Sequence, residues 1–215
     1  MAIGNGEAVR AVSDANFWDE RYRSAGAIWS GDPNPQLVAE VSELEPGTAL
    51  DVGCGEGADA VWLAKRGWQV TAIDISGVAL ERARNAAVDA GIMQRIDWRQ
   101  GDIATWVPER SYDLVSAQFM QLATPLRDAV FRRLAAAVAL GGTLLIVGHH
   151  PSDLETTVRR PRMPGVLYTA EEIAGLLDPQ AWEIRVREAR PRGATDANGD
   201  AVIVHDAVLS SRRRR

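Results

Sequence analysis

A glycine-rich turn directly after a buried strand is the feature that most constrains the fold of this chain. Residues 48–53 (TALDVG) form an apolar run typical of a buried strand, and a helical pattern follows over 58–66. Three glycines lie at the junction: Gly53, Gly55 and Gly57. Glycine is favoured where the backbone must turn tightly or approach a ligand closely. Free N–H groups at a helix start favour a negatively charged ligand group, so the spacing predicts a ligand-binding strand–turn–helix unit.

Apolar strand runs and helical patterns alternate along the chain after residue 48. Strands are predicted at 48–53, 69–75, 96–100, 112–119, 143–149, 182–189 and 201–209, and helices at 58–66, 78–90, 125–140 and 170–177. Buried strands joined by crossover helices indicate a parallel sheet, and a turn at 198–199 predicts a closing hairpin. We therefore expect a Rossmann-like, doubly wound α/β fold. Its seven-stranded sheet is expected to be mostly parallel, with an antiparallel edge strand and helices on both faces.

The length of 215 residues suits one domain preceded by an arm. Residues 1–47 contain aromatic side chains and a proline turn at 33–35, and are expected to form an N-terminal helical arm or lid over the top edge of the sheet. Residues 48–215 are expected to form the Rossmann-like domain. A loop at 151–167 is expected on the same edge.

The composition narrows the classes of partner. A net charge of −5 makes nucleic acid a less favoured partner, since nucleic-acid-binding domains are more often basic. No apolar run reaches membrane-spanning length, and the start at 1–10 lacks a signal-peptide pattern. With a single cysteine, Cys54, no intrachain disulfide can form, and a cytoplasmic location is expected. The arginines at 212–215 are interpreted as a solvated, frayed terminus. The sequence does not decide between a monomer and a homodimer.

A second ligand signal is the carboxylate at the end of the second strand. Asp74 lies where an acid can accept hydrogen bonds from both hydroxyls of a ribose. Together with the glycine turn it predicts an adenosine-containing ligand at the carboxyl ends of a parallel sheet. The pattern Gly53-x-Gly55-x-x-Ala58 also satisfies a dinucleotide fingerprint. A nicotinamide-dependent oxidoreductase is therefore an alternative.

Three features favour S-adenosylmethionine over a dinucleotide. Asp51 precedes the first glycine, where it would repel a pyrophosphate but attract an ammonium or sulfonium group. A further glycine, Gly57, follows Gly53 and Gly55 at one-residue spacing. Asp102 follows the third strand, where its carboxylate can accept from an adenine amino group. The short-chain oxidoreductases would also need a Tyr-x-x-x-Lys pair, which Lys65, the only lysine, does not complete.

The run ALDVGCGEGADAVWLAKRGWQVTAIDIS over 49–76 resembles the first two motifs of the class I S-adenosylmethionine-dependent methyltransferases. The resemblance covers about 48–148 and implies S-adenosyl-L-methionine as cofactor, with S-adenosyl-L-homocysteine as product. It implies that the glycine turn holds the methionine part, that Asp74 holds the ribose, and that Asp102 with the Ile103 backbone holds the adenine. The predicted cofactor-binding residues are Asp51, Gly53, Cys54, Gly55, Gly57, Asp74, Ile75, Asp102, Ile103, Ala117, Gln118 and Trp29.

The arm carries a looser resemblance. Residues 17–22 (FWDERY), with Trp29 and the proline turn at 33–35, resemble the start of small-molecule methyltransferases of the thiopurine and tellurite-resistance type. This implies methyl transfer by in-line displacement to a heteroaromatic, thiol, phenol or metalloid acceptor. A non-catalytic module that only binds S-adenosylmethionine is a further alternative.

Two adjacent histidines are the candidates for a base or a substrate contact. His149 and His150 end the fifth strand, at the edge where ligands bind, and histidine titrates near neutral pH. Adjacent strand residues point to opposite faces, so at most one is expected to reach the acceptor. Adjacent histidines lack metal-ligand spacing, so no metal site is predicted, and His205 is expected to be structural. The predicted acceptor-binding residues are Trp18, Tyr22, Phe119, Met120 and Arg162.

Overall fold

Five parallel strands and a C-terminal hairpin form one sheet in the computed structural model, which describes residues 14–160 and 162–215. The strands are β1 (Thr48–Val52), β2 (Gln69–Asp74), β3 (Ile96–Gln100), β4 (Tyr112–Gln118), β5 (Val138–His149), β6 (Trp182–Thr195) and β7 (Ala201–Arg213). Their order is β3-β2-β1-β4-β5-β7-β6. β7 is antiparallel to both of its neighbours, β5 and the edge strand β6. The predicted mostly parallel, Rossmann-like sheet with antiparallel pairing at one edge is confirmed.

The helices cover both faces of this sheet. They are α1 (Ala15–Arg23), α2 (Pro35–Val41), α3 (Ala58–Lys65), α4 (Gly77–Asp89), α5 (Leu126–Ala136) and α6 (Ala170–Ala174). Adjacent residues of β5 belong to different clusters: the cluster of Leu144 includes residues of α5 and α6, whereas the cluster of Leu145 includes residues of α2, α3 and α4. This is the two-sided burial that a central strand requires, since successive side chains point to opposite faces. None of the described helices is long and apolar enough to cross a bilayer.

The end of α5 differs from the prediction of a helix over 125–140. The helix ends at Ala136, and the chain enters β5 at Val138, which pairs with Tyr112. The ladder between β4 and β5 is irregular beyond this pair, and the strand turns through Gly141 with a φ of +80°. The apolar triplet at 138–140 suits a buried helix as well as a buried strand, so periodicity could not place this boundary.

The C-terminal arginines also differ from the prediction. Arg212 and Arg213 lie within β7 rather than in a frayed terminus, and Arg213 pairs with Trp182 of β6. Their guanidinium groups donate to main-chain carbonyls, Arg212 to Gly141 and Arg213 to Ala136. The prediction about residues 1–10 lies outside the described part of the chain.

Gly148 of β5 provides a test of how tightly the sheet packs at this point. A Cβ atom added there would lie 2.3 Å from the ring of Tyr168, which is fully buried. We expect Gly148→Ala to lower the free energy of unfolding by about 1–3 kcal/mol, because overpacking displaces a buried ring. Urea denaturation measures this change. Gly193→Ala in β6 is the control, since its Cβ meets no atom within 4 Å, and an equal loss in both variants would contradict the packing argument.

Candidate functional site

A cavity of about 610 Å³ opens at the carboxyl ends of the parallel strands. This volume lies within the range of about 300–1,000 Å³ that is typical of small-molecule sites, and the edge is where α/β sheets bind ligands. Its walls are the turn after β1, the ends of β2, β3, β4 and β5, the arm at 29–35, and two residues of the C-terminal hairpin.

The glycine turn forms the floor of this cavity and could not form with larger residues. Gly55 has a φ of +52°, and a Cβ atom there would lie 2.9 Å from the Tyr22 hydroxyl oxygen. Gly57 has a φ of +85°, and its Cβ would lie 2.7 Å from Cβ of Ala83 in α4. Both positions therefore require glycine, for backbone conformation and for close approach.

Two acids stand at the ends of the strands on the β3 side of the turn. Asp74 accepts hydrogen bonds from the N–H groups of Gly55 and Ser76, each at 2.8 Å. Burial raises the pKa of Asp74, and these N–H bonds oppose the rise. Asp102, after β3, accepts from the Ala104 N–H at 2.8 Å. Both acids line the cavity, where each still has capacity to accept from a ligand.

A second pair of acids lies behind and beside the glycine turn. Asp51 is buried beneath the cavity lining, and its Oδ2 has no hydrogen-bond partner among the described residues. Asp59 lines the cavity and accepts from the Asn34 N–H at 2.6 Å. Burial raises the pKa of both carboxyl groups, that of Asp59 to about 6. A buried acid, a half-buried acid and an unsatisfied oxygen favour a ligand cation at this end, as an amino group would provide.

Hydrogen bonds hold the arm over the glycine turn. Glu56, within the turn, accepts from the Trp29 N–H at 3.2 Å and from Arg82 at 2.7 Å. Arg82 also donates to the carbonyls of Tyr22 and Ala25. The indole N–H of Trp29 donates to the Tyr22 hydroxyl at 3.2 Å. The described part of this segment therefore closes one side of the cavity.

The opposite side of the cavity combines an aromatic ring with an imidazole. Phe119 follows β4 with a φ of +51°, an uncommon conformation for a residue other than glycine. Its ring centroid lies 4.6 Å from that of His149. Burial and the nearby Arg160 lower the pKa of His149 to about 4, so the imidazole is neutral at physiological pH. Nδ1 of His149 is buried without a hydrogen-bond partner among the described residues.

The structure brings most of the predicted site residues together. The predicted residues that line the cavity are Trp18, Tyr22, Trp29, Gly53, Cys54, Gly55, Gly57, Asp74, Ile75, Asp102, Ile103, Gln118, Phe119, Met120 and His149. Ala117 is instead part of the core, and Arg162 is exposed outside the cavity wall. His150 also lies outside it, with Nδ1 2.9 Å from the Ser152 hydroxyl, because the two histidines point to opposite faces.

Among the lining residues missed from the sequence are Asp59 and Leu122, and two residues of the C-terminal hairpin, Arg192 of β6 and Asp206 of β7. The hairpin residues reach the cavity because β7 pairs with β5, which places Asp206 opposite His149. The one signal for Asp206 was a lone carboxylate in the apolar run AVIVHDAVL at 201–209. Arg192 carried no comparable signal. Within residues 14–160 and 162–215, no group of three or more His, Cys, Asp or Glu side chains could hold a metal ion.

Comparisons with known proteins find similarity to methyltransferases. Residues 49–142 match the family described as "Methyltransferase domain". Trans-aconitate 2-methyltransferase of Rhizobium meliloti (strain 1021) is 33% identical over 63% of this chain and 48% of its own length. "Probable thiol methyltransferase 2" of Arabidopsis thaliana is 30% identical over 46% of this chain and 45% of its own length. The chain thus spans about half the length of these curated relatives.

Solved structures share the fold at low sequence identity. TehB from Haemophilus influenzae has a TM-score of 0.71 at 20% identity, over 94% of this chain and 67% of that one. The N-methyltransferase NodS from Bradyrhizobium japonicum WM9, in complex with S-adenosyl-L-homocysteine, has a TM-score of 0.67 at 18% identity. The match covers 97% of this chain and 99% of the NodS chain.

The raised pKa of Asp59 predicts a pH-dependent cost of folding without ligand. Between its ordinary value of 3.8 and about 6, the folded state keeps a proton that the unfolded state loses. The free energy of unfolding therefore falls as pH rises through this range and levels off above it. We therefore expect the advantage of Asp59→Asn over the native chain in free energy of unfolding to grow by on the order of 1–3 kcal/mol between pH 4 and pH 7.

Urea denaturation at several pH values measures that difference. Asp97→Asn, at an exposed position of β3, is the control for the loss of a carboxylate, and it should not show the gain expected for Asp59→Asn. An Asp59→Asn difference that does not change with pH would contradict the assignment of this cost to Asp59.

Proposed function

Because residues 49–142 match the methyltransferase domain family, we propose that this chain transfers a methyl group from S-adenosylmethionine to a small-molecule acceptor. The comparisons support the predicted family and S-adenosylmethionine as the cofactor, and the solved structures share the predicted fold class. The observation that carries the proposal is one continuous cavity that joins a cofactor-type half to an apolar recess. The recess consists of Phe119, Met120, Leu122 and His149.

The residues present fit the proposed cofactor at three points along the sheet edge. The acids Asp51 and Asp59 would favour the amino group, and the glycine turn would admit the methionine part closely. Asp74 would accept from the ribose hydroxyls, and Asp102 from the adenine amino group. These assignments are our proposal for how the cofactor is held.

The chain contributes mainly position to the reaction. When bound, S-adenosylmethionine supplies a methyl group on a positively charged sulfur, which a nucleophile displaces in line with the departing sulfur. Phe119 and Met120 would exclude water from the acceptor side and align the nucleophile. Such alignment can contribute about 7–11 kcal/mol to lowering a barrier.

The neutral imidazole of His149 limits the chemical classes of methyl acceptor that suit the recess. A group whose conjugate acid has a pKa of about 4 is a weak base at neutral pH, so a phenol would gain little from it. An acceptor that is already nucleophilic, such as a thiolate, an aromatic nitrogen, a metalloid anion or a carboxylate, suits the recess better. The names of the relatives, a trans-aconitate and a thiol methyltransferase, agree with such acceptors. The predicted cytoplasmic location stays a prediction.

Calorimetry with S-adenosyl-L-homocysteine tests the cofactor half of the proposal. We expect saturable binding to the native chain, and Asp74→Asn to weaken it about 10- to 100-fold, because a hydrogen bond to a charged group contributes about 1.5–3 kcal/mol. The exposed control Asp97→Asn should bind like the native chain. The absence of a binding heat at millimolar ligand, or binding of NADH instead, would overturn the proposal. Binding without methyl transfer to any acceptor would support the alternative of a non-catalytic module that only binds S-adenosylmethionine.

The pH profile of methyl transfer tests the role of His149. Its lowered pKa of about 4 predicts a rate that does not titrate with this imidazole between pH 6 and pH 8. We expect His149→Gln to lower kcat less than about tenfold, below the roughly 10²–10⁴ typical of a general base. His150→Gln, outside the cavity, should leave kcat unchanged. A rate that titrates near pH 7 and loses this dependence in His149→Gln would contradict the assignment.

A further inference from the structure

The far end of the cavity carries an arginine that the cofactor half does not use. Arg192 is the only lysine or arginine among the described residues that line the cavity, whose other charged lining residues are acids. The acids Asp59, Asp74 and Asp102 stand at the other end, beside or beyond β1. A basic group at one end, paired there with Asp206, lies opposite a row of acids, which suggests that the two ends bind different chemical groups.

The strand order fixes how far apart these ends lie. Along the edge, Asp102 follows β3, Asp74 ends β2, the glycine turn follows β1, and Arg192 belongs to β6, four strands beyond β1. Neighbouring strands are about 4.8 Å apart, which places β6 about 19 Å from β1. The side chain of Arg192 reaches back to β4, where its Cζ lies 5.9 Å from the Phe119 ring centroid. Arg192 therefore borders the recess on the side away from the proposed cofactor.

The guanidinium of Arg192 is held in a fixed orientation. Asp206, which is buried, accepts from Nε and Nη2 at distances of 3.1–3.2 Å. Gln36 of α2 donates to the same carboxylate at 3.2 Å and keeps it in place. Nη1 of Arg192 has no acceptor among the described residues. A planar guanidinium clamped on one edge presents its other donors in a defined direction, which suits recognition of a carboxylate.

We propose that Arg192 binds a carboxylate of the methyl acceptor, so that the substrate class is an apolar small molecule that carries an acid group. The inference rests on the proposed methyl transfer. The apolar body would pack against Phe119 and Met120, and the acid would bind Nη1 at the β6 side. The reacting atom would then face the β1–β4 side of the recess. Arg192 is a specificity-determining residue in this arrangement, and Asp206 and Gln36 are positioning residues.

Paired probes test this assignment on the full chain saturated with S-adenosyl-L-homocysteine. The probes are 2-mercaptobenzoate with 2-mercaptobenzamide, nicotinate with nicotinamide, and phenylacetate with phenylacetamide. Calorimetry or tryptophan fluorescence measures their binding, since Trp18 and Trp29 line the cavity. We expect at least one acid to bind tenfold or more tightly than its amide, and Arg192→Met to abolish that preference.

The control is Arg185→Met on the same strand, an exposed arginine that pairs with Glu183 outside the cavity. It should keep the preference, and all variants should bind S-adenosyl-L-homocysteine with native affinity. A native chain that prefers no acid, or a preference that survives in Arg192→Met, would overturn the proposal. So would a loss of cofactor affinity in Arg192→Met, which would assign Arg192 to the cofactor instead. Failure of the native chain to bind S-adenosyl-L-homocysteine would count against the proposed function itself.

Additional variants guard against loss of folding. Arg192→Met leaves the buried Asp206 carboxylate without its main partner, so the double variant with Asp206→Asn removes the stranded charge. It should fold and should lack the acid preference as well. Arg192→Lys keeps the charge without the planar fork and should retain part of the preference. With an acid that is methylated, Arg192→Met should raise KM tenfold or more and change kcat only a few-fold. A purely structural role would instead weaken the binding of acid and amide equally and would lower the stability of the protein.

Discussion

The contact between the turn after β1 and the carboxylate at the end of β2 is the interaction on which the site depends. Asp74 accepts the Gly55 N–H across two neighbouring parallel strands. The bond forms because the backbone at Gly55 has a positive φ and no side chain. The same absence of a side chain lets the Tyr22 hydroxyl approach, and the arm docks through it. Turn, second strand and arm therefore share one small region of tightly packed backbone.

Contacts between the arm and the C-terminal hairpin support the acceptor side of the cavity. Gln36 of α2 donates to Asp206 of β7, and Arg190 of β6 pairs with Glu40 of α2 at 2.6 Å. These contacts join the arm to the C-terminal hairpin across the top of β5. The central strands supply the cofactor half and the recess residues Phe119 and His149, whereas the C-terminal hairpin supplies Arg192 and Asp206 at the border of the recess. This division allows the acceptor side to vary in chemistry without changing the turn that the cofactor would need.

Charge is distributed along the cavity in a way that suits a cationic methyl donor. Acids buried near β1 and β2 carry raised pKa values, because burial penalises their charged forms. On the other side, His149 is neutral and the guanidinium of Arg192 is already paired with Asp206. The recess therefore offers little proton-accepting power, and the acceptor would have to bring its own nucleophilicity. Alignment, rather than acid–base chemistry, is the contribution that this geometry supports.

Local sequence patterns were enough to predict the strand alternation, the glycine turn and the acids at the ends of β2 and β3, because each of these is encoded by adjacent residues with strong local preferences. They did not determine where α5 ends, because the apolar triplet at 138–140 suits a helix or a strand. Tertiary structure also decided that His149 rather than His150 lines the cavity, since strand alternation leaves the choice of face open. Arg192 and Asp206 join the site only through the pairing of β7 with β5, a register set by long-range packing that no local pattern records.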